Sequence, residues 1–321
     1  MESGNPIYTI MKLILNFLLV LAWTVPVHAQ AQFTSLDAQA RNTRKSEYAT
    51  PGDLAKALCK DIKNDRDKAR ALFSWLAANI RYDVKGLKRI SPDAQSQEEY
   101  EGKLVKQAYR SGKGICMDYA LLYKTMAEAV GLECVFISGH AKASVREPWN
   151  GHAWNAVKID GAWKLLDPTW GAGFMDENNK FQQIFQPGYF LTSPRVFALD
   201  HFPDDVKWQL LEVPLDKKAF KSQGTFSYGD PQNGISDAEP IGLPLTKAPN
   251  GKIELRLKML HTPPVIQLRM GNRDIQFEQS EKNGWITLRF SPASGRELQV
   301  WGGKKTRQIV STTLLGTFPV N

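Results

Sequence analysis

Cysteine is scarce. The 321-residue chain has three, Cys59, Cys116 and Cys134, too few for the disulfide framework that staples small exported domains. Cys59 and Cys134 can pair and leave Cys116 free, or stand as two separate buried thiols, and the sequence leaves both open. Histidine is nearly as sparse, with five residues. No CxxC pair or histidine cluster has the spacing of a zinc site, so no metal or cofactor is expected. Nor does any calcium-loop spacing surround Asp176, Glu177 and Asn178, which read as a solvated turn. Only one long apolar run occurs, Leu13 to Trp23, broken by Asn16. It is shorter than the roughly 20 residues that span a bilayer. No internal repeat is evident. A net charge of +8 invites acidic partners, cell-envelope polymers or nucleic acid among them. No basic stripe interleaves with aromatic residues, so nucleic acid is set aside and the charge is read as solvated surface.

The apolar run has its own meaning. Lys12 precedes it, and the small residues of Val27-His28-Ala29 and Ala29-Gln30-Ala31 follow. This is the pattern of a signal peptide cleaved near Ala29 or Ala31. It predicts an exported chain, periplasmic or extracellular, with no stable membrane span after cleavage.

Past Gly112-Lys113-Gly114, the residues Leu121, Leu122, Met126, Ala129 and Val130 recur at helical spacing, and Gly131 stands where a helix would stop. Cys116 then lies in the first turn of that helix. There the unpaired N–H groups and the positive end of the dipole favour a thiolate, and the Cys116 N–H can serve half of an oxyanion hole. Taken alone, this segment reads more plainly as a small apolar residue packed at a helix start.

The histidine and aspartate alter that balance. Residues 152–159 and 162–167 flank Asp160-Gly161, the strongest short-range hairpin signal. A turn closing there sets Trp163 opposite Lys158, Asp167 opposite Trp154 and Thr169 opposite His152. With side chains alternating between faces, His152, Trp154, Asp167 and Thr169 share one face. His152 and Asp167 become diagonal neighbours, roughly 7–8 Å apart along the backbone and within reach of an imidazole–carboxylate bond. A slip of one residue would separate them. A nucleophile, a base and an orienting carboxylate therefore follow in order as Cys116, His152 and Asp167.

Other groups are weighed and set lower. His140 is read as a loop histidine without a matched carboxylate, and His201, before Phe202-Pro203, as structural. Gln107 or Tyr109 is a candidate second oxyanion donor, with surface polarity the plainer account. Leu54, Leu58 and Ile62 mark a short helix. Asn64 is placed to cap a second, with Ala69, Leu72, Phe73, Leu76 and Ile80 as its apolar stripe. Residues 85–95 and 143–150 read as loops bordering the cleft. After Leu215, Gly, Pro, Ser and Asp dominate up to Lys247. Period-two patterns then take over, as in Ile253, Leu255, Leu257 and Met259, with Asn283-Gly284 as a turn. This predicts an all-β module, an immunoglobulin-like sandwich.

The chain also resembles a known family. Gly-x-Cys-x-x-Tyr-Ala at Cys116, His-Ala-Trp-Asn-Ala-Val at His152 and Trp163-Lys-Leu-Leu-Asp-Pro-Thr-Trp-Gly are similar to the transglutaminase-like superfamily, in the branch of the kyphoscoliosis peptidase. Asn79 to Asp83, Tyr189 to Pro194 and His201-Phe202-Pro203 resemble that branch too. The family often has glycine where this chain has Asp118, a carboxylate that would oppose a thiolate. The resemblance covers roughly residues 50–215 and implies an α+β, papain/transglutaminase-like core with a Cys116–His152–Asp167 triad. It implies a protein or peptide substrate and tips the reading to a cysteine peptidase, with transglutaminase cross-linking or a non-catalytic binding or scaffold role as the alternatives. The expected plan is a signal peptide over 1–29, a loose lead-in over 30–49, the catalytic core over 50–215, a linker over 216–250 and the β module over 251–321. That module could meet an envelope partner.

Overall fold

The computed structural model describes residues 25–86, 96–142, 149–176, 178–226, 235–259, 262–305 and 310–321. Most of the expected signal peptide, most of the 85–95 loop and residues 143–148 of the second loop lie outside the described residues.

The helices begin where the sequence supplies caps. α1 spans Val25–Asn42. α2 (Pro51–Leu58) starts with proline behind Thr50, whose side chain accepts the Asp53 N–H. α3 (Asp65–Asn79) is capped by Asn64, which accepts the Asp67 N–H. α4 (Gln97–Ser111) is capped by Ser96 and stops at Gly112, whose φ of 67° is the left-handed turn that glycine adopts freely. α5 is Cys116–Ala129. Three shorter helices follow: α6 (Pro168–Ala172), α7 (Pro194–Phe197) and α8 (Lys217–Ser222).

α1 corrects the expected loose lead-in. Its polar composition conceals one buried cluster, in which Arg70 on α3 grips Asp37 through two bonds of 2.8 and 2.9 Å. Ser74 adds a third donor to the same carboxylate. One such cluster, with Ala40 buried beside it, holds a helix that hydrophobic periodicity does not announce.

Two short strands, β1 (Arg81–Tyr82) and β2 (Lys113–Gly114), pair in parallel and set Tyr82 beside Gly114. The central sheet uses β3 (Cys134–Ala141), β4 (Asn150–Ile159) and β5 (Ala162–Leu166). β6 (Phe174–Met175) and β7 (Phe181–Gln182) form a separate hairpin. β8 (Phe190–Thr192) and β9 (His201–Pro203) complete the central sheet in the order β8-β5-β4-β3-β9. The Asp160-Gly161 turn has positive φ at both residues, and Lys158 faces Trp163 as expected. β5 ends early, however. Asp167 leaves the ladder to cap α6, because Pro168 lacks the N–H a strand needs and suits a first helical position. Thr169 is thus helical and does not oppose His152.

The C-terminal module is two antiparallel sheets. One orders β10 (Thr225–Phe226), β18 (Val310–Pro319), β17 (Glu297–Lys305), β13 (Val265–Met270) and β14 (Arg273–Ile275). The other orders β11 (Ile235–Glu239), β12 (Ile253–Met259), β16 (Trp285–Phe290) and β15 (Phe277–Lys282). Leu255, Leu257, Ile286 and Leu288 of one and Leu268, Met270, Leu298 and Val300 of the other are buried in one cluster. Its strand pairing starts before Gly251: β10 and β11, inside the stretch read as linker, pair with β18 and β12. The same stretch is tied to the core, since Arg195 on α7 bonds Asp237 at 2.9 Å and the Ala238 carbonyl at 3.1 Å. All three cysteines are free thiols, and burial pushes the Cys59 thiol up to about 12.

Candidate active site

The turn before α5 is tightly specified. A Cβ on Gly114 would come within 2.6 Å of the Asp118 Cβ, so a side chain there would force the turn apart. The Asp118 carboxylate accepts the Ile115 N–H at 2.8 Å, tying the residue before the helix to its first turn. Asp118 thus has a structural task at this helix start, while its charge still reaches the neighbouring Tyr82. Two bonds fix the helix on its supports. Tyr119 donates its hydroxyl to the Ile80 carbonyl at 2.5 Å, and Asn155 Nδ2 on β4 donates to the Ala120 carbonyl at 3.0 Å. Cys116 is left half-buried at the mouth of this turn. Tyr82 is close enough to feel it: burial first, then the charges of Cys116, Asp167 and Asp118, push its hydroxyl up to about 12.

His152 lies on β4 opposite Gly139 of β3. A Cβ at Gly139 would meet the Phe202 carbonyl at 2.4 Å and the Trp154 ring at 2.6 Å, so the missing side chain lets β9 and the aromatic wall close around the imidazole. His152 Nε2 bonds Asp167 Oδ2 at 2.7 Å, with the side chains 8% and 0% exposed. Asp167 Oδ1 accepts the N–H groups of Thr169 at 2.8 Å and Trp170 at 3.0 Å. Burial alone would lower the His152 pKa. The Asp167 charge and hydrogen bond, with a further hydrogen bond to Cys116, outweigh it and raise the pKa to about 10. For Asp167 burial works upward, but the charge and hydrogen bond of His152, then those of His201, hold its carboxyl well below the usual range. Trp154 and Trp170 flank the imidazole, with centroids at 6.0 and 5.2 Å. The structure thus brings His152 and Asp167 into direct contact, with Cys116 close enough to influence the imidazole.

The remaining candidates fall elsewhere. Tyr109 points its hydroxyl at the carbonyls of Lys45 and Tyr48, and Gln107 is exposed. His140 lies tilted against Trp149 at 4.6 Å and faces Asp204 at 3.6 Å. His201 is the residue that sequence reasoning undervalued. Fully buried, it bonds Asp167 Oδ2 through Nε2 at 3.1 Å and Asp200 Oδ1 through Nδ1 at 2.5 Å. Its only sequence signal is the resemblance of His201-Phe202-Pro203 to the branch named above. Among the described residues, His152, Asp167 and His201 offer ligand atoms within 4.8 Å of one another. Hydrogen bonds within the group account for all of them.

Comparison with known proteins agrees with this architecture. The chain carries a domain of the transglutaminase-like superfamily, whose family model matches residues 52–168. Over most of its length it is also similar to the kyphoscoliosis peptidases. It is 29% identical to that of Mus musculus over 298 residues, covering 90% of this chain and 43% of the relative. It is 28% identical to that of Homo sapiens over 299 residues, again 90% and 43%. The Lim and transglutaminase domain protein ltd-1 of Caenorhabditis elegans is 29% identical over 208 residues, 59% of this chain and 27% of that protein. The chain thus spans less than half the length of the kyphoscoliosis peptidases it matches.

Proposed function

We propose that this protein is a cysteine-dependent acyl-transfer enzyme acting on peptide or amide bonds. One observation carries the reading: a half-buried cysteine at a helix start, near an imidazole whose Nε2 is held at 2.7 Å by a fully buried carboxylate. In this reading the Cys116 thiolate attacks the carbonyl carbon, and the first-turn N–H groups of α5 face the developing oxyanion. As the C–N bond breaks, imidazolium His152 gives its proton to the departing amine. His152 then takes a proton from water, the hydroxide carbon–oxygen bond forms, and the thiolate leaves as the acid is released. Asp167 keeps one imidazole tautomer and orientation throughout. An amine in place of water gives cross-linking by the same steps, so the acceptor admitted to the cleft decides the outcome. Hydrolysis is favoured because the relatives are named peptidases.

The test is carboxamidomethylation of Cys116 by iodoacetamide across pH. Wild type is expected to react well below the range of an ordinary thiol, about 8.5. His152→Ala abolishes that acid-side reactivity, and Cys116→Ala removes the labelled site. If Cys116 reacts alike with and without His152, the triad has no chemical reality and the protein is a scaffold on this fold.

We also propose export, on the strength of Lys12, the apolar run and the small residues near Ala29. Expressed with its own N-terminus in a secreting host, the chain is expected outside the cytoplasm, beginning near Gln30 or Gln32. A full-length chain retained in the cytoplasm would refute export without touching the chemistry.

A further inference from the structure

The triad does not end at Asp167. β9 joins β3 on the side away from β4, with Ala141 opposite His201, and Gly139, two residues earlier on β3, stands opposite His152. His201 and His152 therefore project from the same face of the sheet, on either side of β3, and meet at one carboxylate oxygen. Five side chains run in line: Cys116, His152, Asp167, His201 and Asp200. We propose that Asp200 and His201 form a second carboxylate–imidazole pair, in which His201 is a positioning residue that holds Asp167 in register with His152 and sets the pH window of Cys116 reactivity. The proposal rests on the acyl-transfer reading above.

The geometry supplies the reason. Asp167 Oδ1 is fixed by two backbone N–H groups and Oδ2 is shared by two imidazoles. With both oxygens held, the carboxylate cannot rotate. Without His201, Oδ2 would keep His152 alone and leave buried acceptor capacity unfilled. Asp200 does for His201 what Asp167 does for His152. With Nδ1 donating to Asp200 Oδ1 at 2.5 Å, a charged His201 also carries a proton on Nε2, the atom aimed at Asp167. Burial alone would lower the His201 pKa; the Asp200 charge and the two carboxylate hydrogen bonds raise it instead. Burial raises Asp200 against the opposing charge of His201, so both directions say that the pair retains its proton.

The charged and titratable neighbours are few. Asp200 has the Tyr189 hydroxyl at 3.4 Å and feels the Lys142 charge, while Lys142 itself donates to the carbonyls of Phe220 and Gln223. Asp167 faces His152, and Tyr82 and Tyr119 feel its charge; Cys116 and Asp118 lie beside Tyr82. The rest of the His201 surroundings is aromatic: Phe197 stacked at 3.9 Å, Trp170 at 4.7 Å and Trp154 at 5.0 Å. In so dry a setting the positive face of His201 draws on the Asp167 charge and loosens its hold on the His152 proton. The two imidazole centroids are 5.5 Å apart, close enough for the His201 charge to act on the His152 proton.

The experiment measures the iodoacetamide rate of the full chain across pH for wild type, His201→Gln and His201→Phe. Glutamine keeps a donor and loses the charge. Both limbs of its profile are expected to move alkaline by roughly half to one pH unit, with the plateau little changed. Phenylalanine keeps the aromatic packing and loses the donor, and its plateau is expected to fall about tenfold as Asp167 unlocks. A purely structural histidine would move neither limb, so profiles superimposing on wild type overturn the proposal. If the wild type itself reacts as an ordinary thiol, the acyl-transfer reading fails instead, and the two failures are distinct. Should either variant not fold, ¹⁵N spectra of the wild-type imidazoles decide. A proton held on His201 Nε2 through the usual histidine range, near 6.5, is expected; an unprotonated Nε2 there overturns the proposal.

Discussion

Replacing Asp167 by alanine is expected to slow alkylation of Cys116 at pH 6 by about tenfold to a hundredfold. A thiol of ordinary acidity is only about 0.3% thiolate at that pH, so losing the ion pair forfeits up to about 300-fold in reactive species. The weaker nucleophilicity of a stabilised thiolate returns about half of that on a logarithmic scale. The cause is the proton on His152. Asp167 is the main reason its pKa stands near 10, and burial alone would discharge it at neutral pH.

The same pair sets a pH window for stability. A histidine raised from about 6.5 stabilises the fold fully below that value, and the contribution is lost as pH climbs through about 10. Asp167, depressed in the fold, contributes above the ordinary carboxylate range and loses its share only as pH falls well below it. Wild type therefore holds both contributions across the neutral range, whereas Asp167→Ala holds neither and also strands the N–H groups of Thr169, Trp170 and His201. An alanine variant that folds and still alkylates at the wild-type rate at pH 6 would remove Asp167 from the mechanism.

How much of this was legible depends on distance along the chain. The Asp160-Gly161 turn fixes its own register, and a period of two does the rest, so His152 and Asp167 could be joined from sequence. Cys116 at a helix start was equally local, written in Gly114 and the spacing of Leu121, Leu122 and Met126. The escape of Asp167 from β5 was written in Pro168 as well, but a strand extrapolated through proline hides it. Beyond the family resemblance, His201 had no local signal, because it arrives by pairing across β3 and its partner Asp200 is a chain neighbour whose orientation only the fold decides. The strands at 225–226 and 235–239 were masked by the turn-forming residues around them. α1 was hidden for a different reason: its attachment is ionic, and hydrophobic periodicity is blind to a buried salt bridge.

That attachment is strong enough to measure. Asp37→Ala is expected to destabilise the protein by about 3–5 kcal/mol, the usual cost of leaving a buried charge without its partner. The Arg70 and Asp37 side chains are only 6% and 10% exposed. Arg70 lies over the rings of Phe33, Phe73, Phe185 and Phe190 at 4.9, 5.8, 5.1 and 5.0 Å, so the guanidinium cannot reach water without dismantling an aromatic cluster. Ser74 loses its acceptor in the same step. Because the penalty lies in the orphaned charge, Asp37→Leu with Arg70→Met should recover most of the loss, as apolar replacements of buried pairs often do. Urea unfolding followed by tryptophan fluorescence reads both variants, with Trp75, whose Nε1 donates to the Thr43 carbonyl at 3.0 Å, at the junction. A single variant within about 1 kcal/mol of wild type, as at an exposed pair, would return residues 30–42 to the status of a loose lead-in. Cleavage near Ala29 or Ala31 would leave both Phe33 and Asp37 on the mature chain, so the clamp survives export, and the first ordered helix of the exported protein would be the one that the aromatic cluster and Arg70 hold in place.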